Sequence, residues 1–456
     1  MKILPLNTFY KKILSVSLPA IAGLSSQMIV SLADTAMVGR IDNATYALAA
    51  MGIGVLATWA LISFFSSLAT GTHVIVARKF GEGDYTACGI TLNNSILITF
   101  VIGIVVALIG VLAASPIAHF LAADLTVGYY ASEYIFFRFL GIPFFLISVS
   151  FRGFFFGISK TKIFMFSGIL TNFLNIVFNY IFIYGKLGMP AMGLAGAGLG
   201  STLATLMDVL FYFVIILLPF YRKRFNNFRH IKVIDIEIIK SIFRISLPVS
   251  FQNVFILIGF LSFIAIIGII GTVQQAASQA VISILFMSFL PCFGFGIAAQ
   301  TLVGNNLGAG KKDLAVIYGY ETAKIATYFT FILGIVFLLV PQVVLLLITT
   351  DLQIIESAKP ILRIAGFAQI FYAVGVVLAN GLQAAGEMTF VMISEVITNL
   401  VVFVPLSYLF GVILGGGLVW AWFALPIYII LYSVIIYLKF SSRNWKGISL
   451  KKQYYD

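Results

Sequence analysis

The stretch LPAIAGLSSQMIVSLADTAMVGR, residues 18–40, is an apolar segment long enough to span a bilayer, and it carries a carboxylate. A charge at the bilayer centre costs roughly 2.5–3.5 kcal/mol on insertion scales, so an acid kept there usually has a function. Gln27, Ser31 and Asp34 lie on one face of the predicted helix, and Pro19 removes a backbone donor near its start. We therefore predict a helix that binds an ion at Asp34 and bends at Pro19. The alternative is an acid that only ties neighbouring helices together.

The composition of the 456-residue chain is typical of a polytopic helical membrane protein. Hydrophobic residues make up 61% and charged residues 10%, and the mean hydropathy is +1.08. The alternating pattern of an outer-membrane barrel is absent from the sequence. Two distant cysteines and three histidines indicate no disulfide framework and no metal cluster. Because the sequence shows neither clustered Asp pairs nor a catalytic His, we expect a protein that is not an enzyme and needs no cofactor.

Apolar runs of about 20 residues predict an all-α integral membrane fold with twelve transmembrane helices. The predicted spans are residues 13–38, 46–71, 92–114, 131–154, 163–184, 193–219, 241–268, 275–300, 318–348, 361–385, 390–412 and 416–439. Most Lys and Arg residues fall in alternate connections, so the net charge of +12 is interpreted as a topology signal and not as a nucleic-acid-binding surface. By this rule both termini are predicted to be cytoplasmic.

The two halves of the sequence resemble each other, which predicts two pseudo-symmetric six-helix lobes. Three cues recur at offsets of 227 to 229 residues. They are Ser17-Leu18-Pro19 with Ser246-Leu247-Pro248, Gly81 with Gly308, and Arg152-Gly153 with Asn380-Gly381. An even number of spans in each half makes the repeats parallel. We predict a first lobe at 1–220, a cytoplasmic linker at 221–240, a second lobe at 241–440 and a cytoplasmic tail at 441–456.

Over nearly its whole length the chain resembles the multidrug and toxic compound extrusion (MATE) family. The resemblance rests on LPAIAGLSSQMIVSLADTAMVGR, VARKFGEGD, FRGFFFGISKTK, LNIVFNYIFIYGKLGMPAMGLAGAG, AAQTLVGNNLGAGK and NGLQAAGEM, and the KLGMP loop is similar to that of the NorM-like branch. It implies a V-shaped, monomeric antiporter of the bacterial cytoplasmic (inner) membrane. Such a carrier exports small cationic or amphipathic organic compounds in exchange for Na⁺ or H⁺ and has membrane lipids as its other partners. The alternative is a lipid-linked precursor flippase of a related carrier class, which should need more cavity arginines.

The resemblance also assigns expected roles within the first lobe. Asp34 falls on the family's coupling carboxylate, and Ser201 aligns with its hydroxyl on the sixth helix. Bacterial members often show Asn and then Asp four residues later on the fifth helix, where this chain has Asn175 and Asn179. The Glu that NorM-like members carry on the seventh helix is missing here. Coupling is therefore expected to depend on the first lobe.

Considered without the family, the fifth predicted helix carries a polar stripe that contains Asn172, Asn175 and Asn179 at helical spacing. One carboxylate, Asp34, together with the oxygens of Asn175 and Asn179 can replace part of a Na⁺ hydration shell, because hard cations take oxygen ligands. The same carboxylate can instead take a proton. The alternative for the stripe is hydrogen bonding between helices.

Asp208 shares the Ser201 face two turns nearer the predicted cytoplasmic side. It is predicted to serve as a second acid for the cation or a cationic substrate, and the alternative is an ion pair with a basic residue such as Arg138. Other polar residues at membrane depth are predicted to line a substrate cavity. They are Gln27, Ser31, Asn172, Gln252, Asn253, Gln279 and Glu387, whereas Glu395 is interpreted as a packing residue.

Overall fold

The computed structural model describes residues 7–226 and 234–447, and this part of the chain consists of helices and their connections, without a β-strand. The predicted linker and tail are described only in part, because residues 227–233 and 448–456 lie outside the described ranges. Within the predicted linker, one helix extends to Phe225 and the next begins at Ile236. The long apolar runs of the sequence therefore form helices in the described residues.

The described residues group into two compact units, of which one runs from Ala22 to Ser250. Its helices, the first and last of which also extend into the other unit, are α1 (Asn7–Val38), α2 (Ala44–Ser66), α3 (Leu68–Glu82), α4 (Tyr85–Leu121), α5 (Leu125–Leu140), α6 (Ile142–Gly157), α7 (Thr161–Tyr184), α8 (Gly193–Leu217), α9 (Pro219–Phe225) and α10 (Ile236–Ile270). We call this the Ala22–Ser250 unit.

The other unit combines the chain up to Ile21 with the chain from Phe251 onward, and we call it the Phe251 unit. Beyond α10 it contains α11 (Thr272–Gly308), α12 (Lys312–Leu339), α13 (Pro341–Leu346), α14 (Leu352–Ala385), α15 (Met388–Val396), α16 (Val404–Tyr408) and α17 (Gly417–Ser441). Two π-helical segments, Ile397–Phe403 and Leu409–Ile413, join α15 and α16 into one span of 26 residues that ends at Ile413.

The prediction of an all-α membrane protein with about twelve spans is confirmed. In the described residues, eleven helical stretches are long and apolar enough to cross a membrane, and the bent pair α5–α6 makes a twelfth. The predicted span 131–154 falls on this pair, which bends by 44° between Leu140 and Ile142. Pro143 follows at once, and the lack of a backbone N–H on proline favours the start of a new helix there. Pro341 likewise begins α13 inside the predicted span 318–348.

Two helices, α1 and α10, have one half in each compact unit. The limit between the units falls after Ile21 in α1 and after Ser250 in α10. In each helix this limit lies two residues beyond the proline of the repeated Ser-Leu-Pro sequence. The lobe boundaries predicted at 220 and 241 stay a prediction, and the compact units have their limits inside these two helices instead.

Small residues bring α7 and α8 close together in the Ala22–Ser250 unit. A Cβ atom on Gly196 would lie 2.6 Å from the backbone of Phe182, and one on Gly200 would lie 2.2 Å from the side-chain oxygen of Asn179. Glycines at these positions let the two backbones approach, as small residues do in many membrane helix pairs. The amide side chains of α7 are therefore held directly against the backbone of α8.

Candidate ion-binding site

A chain of hydrogen bonds joins four of the residues that the sequence singled out. The Asn179 Nδ2 atom donates to Asp34 Oδ1 at 2.7 Å and to Asn175 Oδ1 at 3.1 Å. The Asn175 Nδ2 atom in turn donates to Ser201 Oγ at 3.1 Å. These hydrogen bonds run from Asp34 on α1, through the two asparagines of α7, to Ser201 on α8. The predicted group Asp34, Asn175, Asn179 and Ser201 is thus brought together within the Ala22–Ser250 unit.

Asn179 is the centre of this chain, which we call the Asp34 network. Both amide hydrogens of the residue are used, and its side chain is fully buried. Its Oδ1 atom has no hydrogen-bond partner among the described residues and packs against Gly200. A buried acceptor without a partner is costly, so this oxygen is available to a ligand that enters the network.

Asp34 is half-buried, and a cationic group acts on its carboxylate. Arg138 on α5 interacts with the Asp34 carboxylate through space, and Tyr134 lies near both residues. The Arg138 Nε atom is buried without a hydrogen-bond partner among the described residues. Arg138 therefore balances the charge of the carboxylate from a distance, while Asn179 supplies the direct contact.

Asp208 lies in a second cluster and is not hydrogen-bonded to the Asp34 network. Ser148 donates to its Oδ2 atom and Ser167 to its Oδ1 atom, and the Thr171 hydroxyl lies 3.1 Å from Oδ1. Arg152 Nη2 forms an ion pair with Oδ2 at 3.5 Å. The basic partner of Asp208 is thus Arg152 and not Arg138, because Arg152 on α6 is the arginine that reaches the buried carboxylate.

The polar residues predicted to line a substrate cavity belong to both compact units and differ in their exposure. The Gln27, Ser31 and Gln279 side chains are exposed, and Asn253 is half-buried. Asn172 donates to Ser26 Oγ at 2.7 Å and so ties α7 to α1. Gln252 is buried and accepts a hydrogen bond from Gln383 at 3.3 Å. Each of these residues keeps its role in a cavity only as a prediction.

Glu387 lies between α14 and α15 rather than in the middle of a helix. Its Oε1 atom is 2.7 Å from Lys439 Nζ, at the end of α17. The Lys439 ammonium also lies over the Phe390 ring, 4.8 Å from its centroid. These contacts indicate that Glu387 helps to join the ends of three helices.

An open pocket of about 670 Å³ lies between α1 and α7. Its residues are close in sequence to members of the Asp34 network. Its walls are formed by Met37, Arg40, Ile176, Val177, Tyr180 and Tyr184. The aromatic and aliphatic walls are suited to an amphipathic compound, but none of the residues predicted to line a cavity contributes to them. The sequence pattern missed this pocket because, apart from Arg40 just beyond α1, its walls are apolar and aromatic positions of two spans.

The chemistry available at the Asp34 network is that of one carboxylate beside neutral amide and hydroxyl groups, with the Arg138 guanidinium acting from a distance. No group of three or more His, Cys, Asp or Glu side chains that could hold a metal ion occurs among residues 7–226 and 234–447. A monovalent cation bound here would therefore take amide and hydroxyl oxygens beside Asp34, or the carboxylate would take a proton. Sequence reasoning also missed Arg152 as a site residue, although it had singled out its Arg-Gly pair as a repeat cue.

Comparison with known proteins agrees with this architecture. The MatE family model matches residues 19–181 and 248–409, two segments that begin 229 residues apart at the two Ser-Leu-Pro prolines. The chain belongs to the MatE family. The double match confirms the internal repeat that the sequence predicted, and the chain is a multi-pass membrane transporter of this family.

Relatives of the MatE chain match it almost from end to end. It is 27% identical over 438 residues to the "Probable multidrug resistance protein NorM" of Thermotoga maritima, which covers 96% of this chain and 93% of the relative. A structure described as MATE in the bent conformation superposes with a TM-score of 0.88 at 22% identity, with 98% and 97% of the two chains covered. A structure of MATE in the straight conformation gives a TM-score of 0.87 at 22% identity, with 95% of each chain covered.

Proposed function

We propose that this MatE protein is a secondary active multidrug efflux antiporter that exports cationic or amphipathic compounds in exchange for Na⁺ or H⁺. The observation that supports the proposal best is the Asp34 network, in which a membrane-depth carboxylate is held by the Asn179 amide at 2.7 Å. The printed name of the Thermotoga relative supports the multidrug class. The Asp34 carboxylate at membrane depth favours cationic cargo.

Ion binding at Asp34 would change the hydrogen bonds that hold α1 to α7. A bound cation would compete with Asn179 for the carboxylate and would use its free Oδ1 atom as a ligand. A proton would neutralise Asp34 and weaken the charge-assisted bond from the amide. In either case the ion stabilises one conformation of α1 over another, which is the condition for coupling.

The bend of α1 at Pro19 is the second part of the proposal. Proline lacks the N–H that the helix ladder needs, so the turn that contains Pro19 is the easiest place for α1 to bend. Solved MATE relatives described as straight and bent support a fold that accepts such a change. We propose that α1 exists in equilibrium between a straight form and a form bent at Pro19, and that ion binding at Asp34 shifts this equilibrium.

The location proposed for the transporter is the bacterial cytoplasmic (inner) membrane, with both termini in the cytoplasm and with the monomer as the working form. The distribution of Lys and Arg supports the orientation. Membrane lipids contact the exposed apolar side chains, of which Leu112 and Phe120 on α4 are examples with 81% and 88% of their surface accessible.

The test uses purified protein in proteoliposomes loaded with ethidium as a cationic probe. A Na⁺ gradient and a pH gradient are imposed separately on wild-type protein, on Asp34→Asn, and on Asp42→Asn. Asp42 is a matched control, because it is exposed and lies eight residues further along. We expect dye movement with one gradient, its loss in Asp34→Asn and its retention in Asp42→Asn. Dye movement that ignores both gradients, or that survives in Asp34→Asn, would contradict the proposal and favour a flippase.

A further inference from the structure

The internal repeat includes an eight-residue segment in which the acidic residue comes from a different position in each of the two copies. MFSGILTN, residues 165–172, matches MISEVITN, residues 392–399, at an offset of 227. In the first copy Ser167 and Thr171 donate to Asp208, which is supplied by α8. In the second copy the acid is Glu395 in the repeated segment itself, where the first copy has Gly168. The Phe251 unit thus keeps a buried acid at the corresponding helix pair.

Glu395 is surrounded by tyrosines. Its side chain is 3% exposed, and the Tyr428 hydroxyl of α17 donates to its Oε1 atom. Tyr432, one turn further along α17, provides a second hydroxyl to the carboxyl, and Tyr372 of α14 faces it through space. Glu395 takes part in no ion pair with residues 7–226 or 234–447. The groups that face this acid are therefore neutral phenols.

Asn399, one turn beyond Glu395, is a further polar side chain of this cluster. It is fully buried, and its amide nitrogen faces the Tyr428 hydroxyl as a donor. Its Oδ1 atom has no hydrogen-bond partner among the described residues. A Cβ atom on Gly259 would lie 1.6 Å from this Oδ1 atom, so the amide oxygen is pressed against α10. A buried amide oxygen without a partner can accept a hydrogen bond from a group that gains a proton nearby.

The backbone at this point is also specialised. The π-helical segment Ile397–Phe403 begins two residues after Glu395 and includes Asn399. Single π-helical turns inside α-helices occur frequently at functional sites, because they displace side chains from the regular helical positions. The irregular part of this span therefore coincides with the residues that follow Glu395 and include Asn399.

We propose that Glu395, with Tyr428, Tyr432 and Asn399, forms a proton-binding site in the Phe251 unit. A carboxylate at this depth without a cation is costly, so the neutral acid is the resting form and the phenols stabilise the anion when the proton leaves. In the neutral form the carboxyl gains an O–H donor, for which Asn399 offers an unused acceptor. The proposal deepens the proposed function by adding a second place where the transporter holds a proton.

Infrared spectroscopy of the purified protein in detergent tests this proposal directly. The probe is the proton itself, followed through the C=O stretch of protonated carboxyl groups during a pH titration in H₂O and D₂O. We expect a titrating, deuterium-sensitive band that is lost in Glu395→Gln and shifted in frequency in Tyr428→Phe. Glu356→Gln is the matched control, because Glu356 lies in the same unit but is 67% exposed; this variant should keep the band assigned to Glu395.

Three outcomes would overturn the proposal. The band persists unchanged in Glu395→Gln and in Tyr428→Phe, or it does not titrate, or added Na⁺ at constant pH removes it and so identifies a cation site. Tyr428→Phe keeps the test decisive where Glu395→Gln does not fold. The titration is repeated in Asp34→Asn, in which coupling at the Asp34 network is removed. A band that remains there separates this proposal from the proposed function, which can fail independently.

Discussion

The substitution Gly200→Ala should break the Asp34 network without changing any polar atom. The added Cβ would lie 2.2 Å from Asn179 Oδ1 and 3.1 Å from the Asn179 backbone nitrogen. The side chain of Asn179 must therefore move, and the movement breaks its 2.7 Å bond to Asp34. The transport activity should fall as it does in Asp34→Asn, because the carboxylate loses its positioning partner.

The magnitude follows from three opposing contributions. Alanine is favoured over glycine by about 0.8–1.0 kcal/mol inside a helix. Overpacking costs about 1–3 kcal/mol, and a hydrogen bond to a charged group contributes about 1.5–3 kcal/mol. The net loss of folding free energy is therefore about 1.5–5 kcal/mol, dominated by the contact with Asn179.

Thermal unfolding in detergent and ethidium transport in proteoliposomes measure the two effects. Gly52→Ala on α2 is the matched control, since a Cβ atom there meets no atom within 4 Å. It should leave the melting temperature unchanged or raise it slightly. A Gly200→Ala protein that is as stable as Gly52→Ala and transports at the wild-type rate would refute the reasoning about Asn179.

Three further predictions concern the other charged groups. Asp208→Asn should lower stability by about 3–5 kcal/mol in thermal unfolding, because it leaves Arg152 without its buried partner; an unchanged melting temperature would contradict this. Hydrogen bonds from two first-turn amides lower the pKa of Asp124. The capping carboxylate should therefore stabilise α5 fully at a pH above the ordinary aspartate pKa. This stabilisation should be lost as the pH falls through the lowered pKa. Hydrogen exchange of the first turn should show that loss in wild-type protein and not in Asp124→Asn. A double-mutant cycle of Glu387→Gln and Lys439→Met should give a coupling of about 1.5–3 kcal/mol, because both side chains are largely buried and their contact is charge-assisted; a coupling near zero would contradict the joining role.

The fold was largely predictable because each bilayer span needs about 20 apolar residues, and such runs are visible in the sequence. The bend between α5 and α6 was missed although Gly141-Ile142-Pro143 marks it, since hydropathy alone does not register a missing backbone donor. Gly83 and Gly310, each two residues after a glycine of the repeat cue, have positive φ angles of 81° and 72°. Glycine is the residue that adopts such angles without strain.

The candidate site was predictable only in part, where the polar stripe of the fifth predicted helix meets Asp34 of the first. Helical spacing placed Asn175 and Asn179 on one face, and the structure brings that face to Asp34. Spacing cannot tell which arginine reaches a given acid, so Arg138 was considered for Asp208 in place of Arg152. Glu395 was interpreted as packing, although its segment repeats MFSGILTN, because no partner for the acid is visible on its own helix.

The way in which α1 and α10 are shared between the compact units has a consequence for cutting the chain. A break in the linker at 227–233 would give two fragments that do not correspond to the two units. The N-terminal fragment would carry the half of α1 that completes the Phe251 unit, and the C-terminal fragment would carry the half of α10 that completes the Ala22–Ser250 unit. Each fragment would therefore leave an apolar half-helix without its own packing partners. The two fragments should accumulate only when they are produced together, because each one carries the half-helix that completes the compact unit of the other.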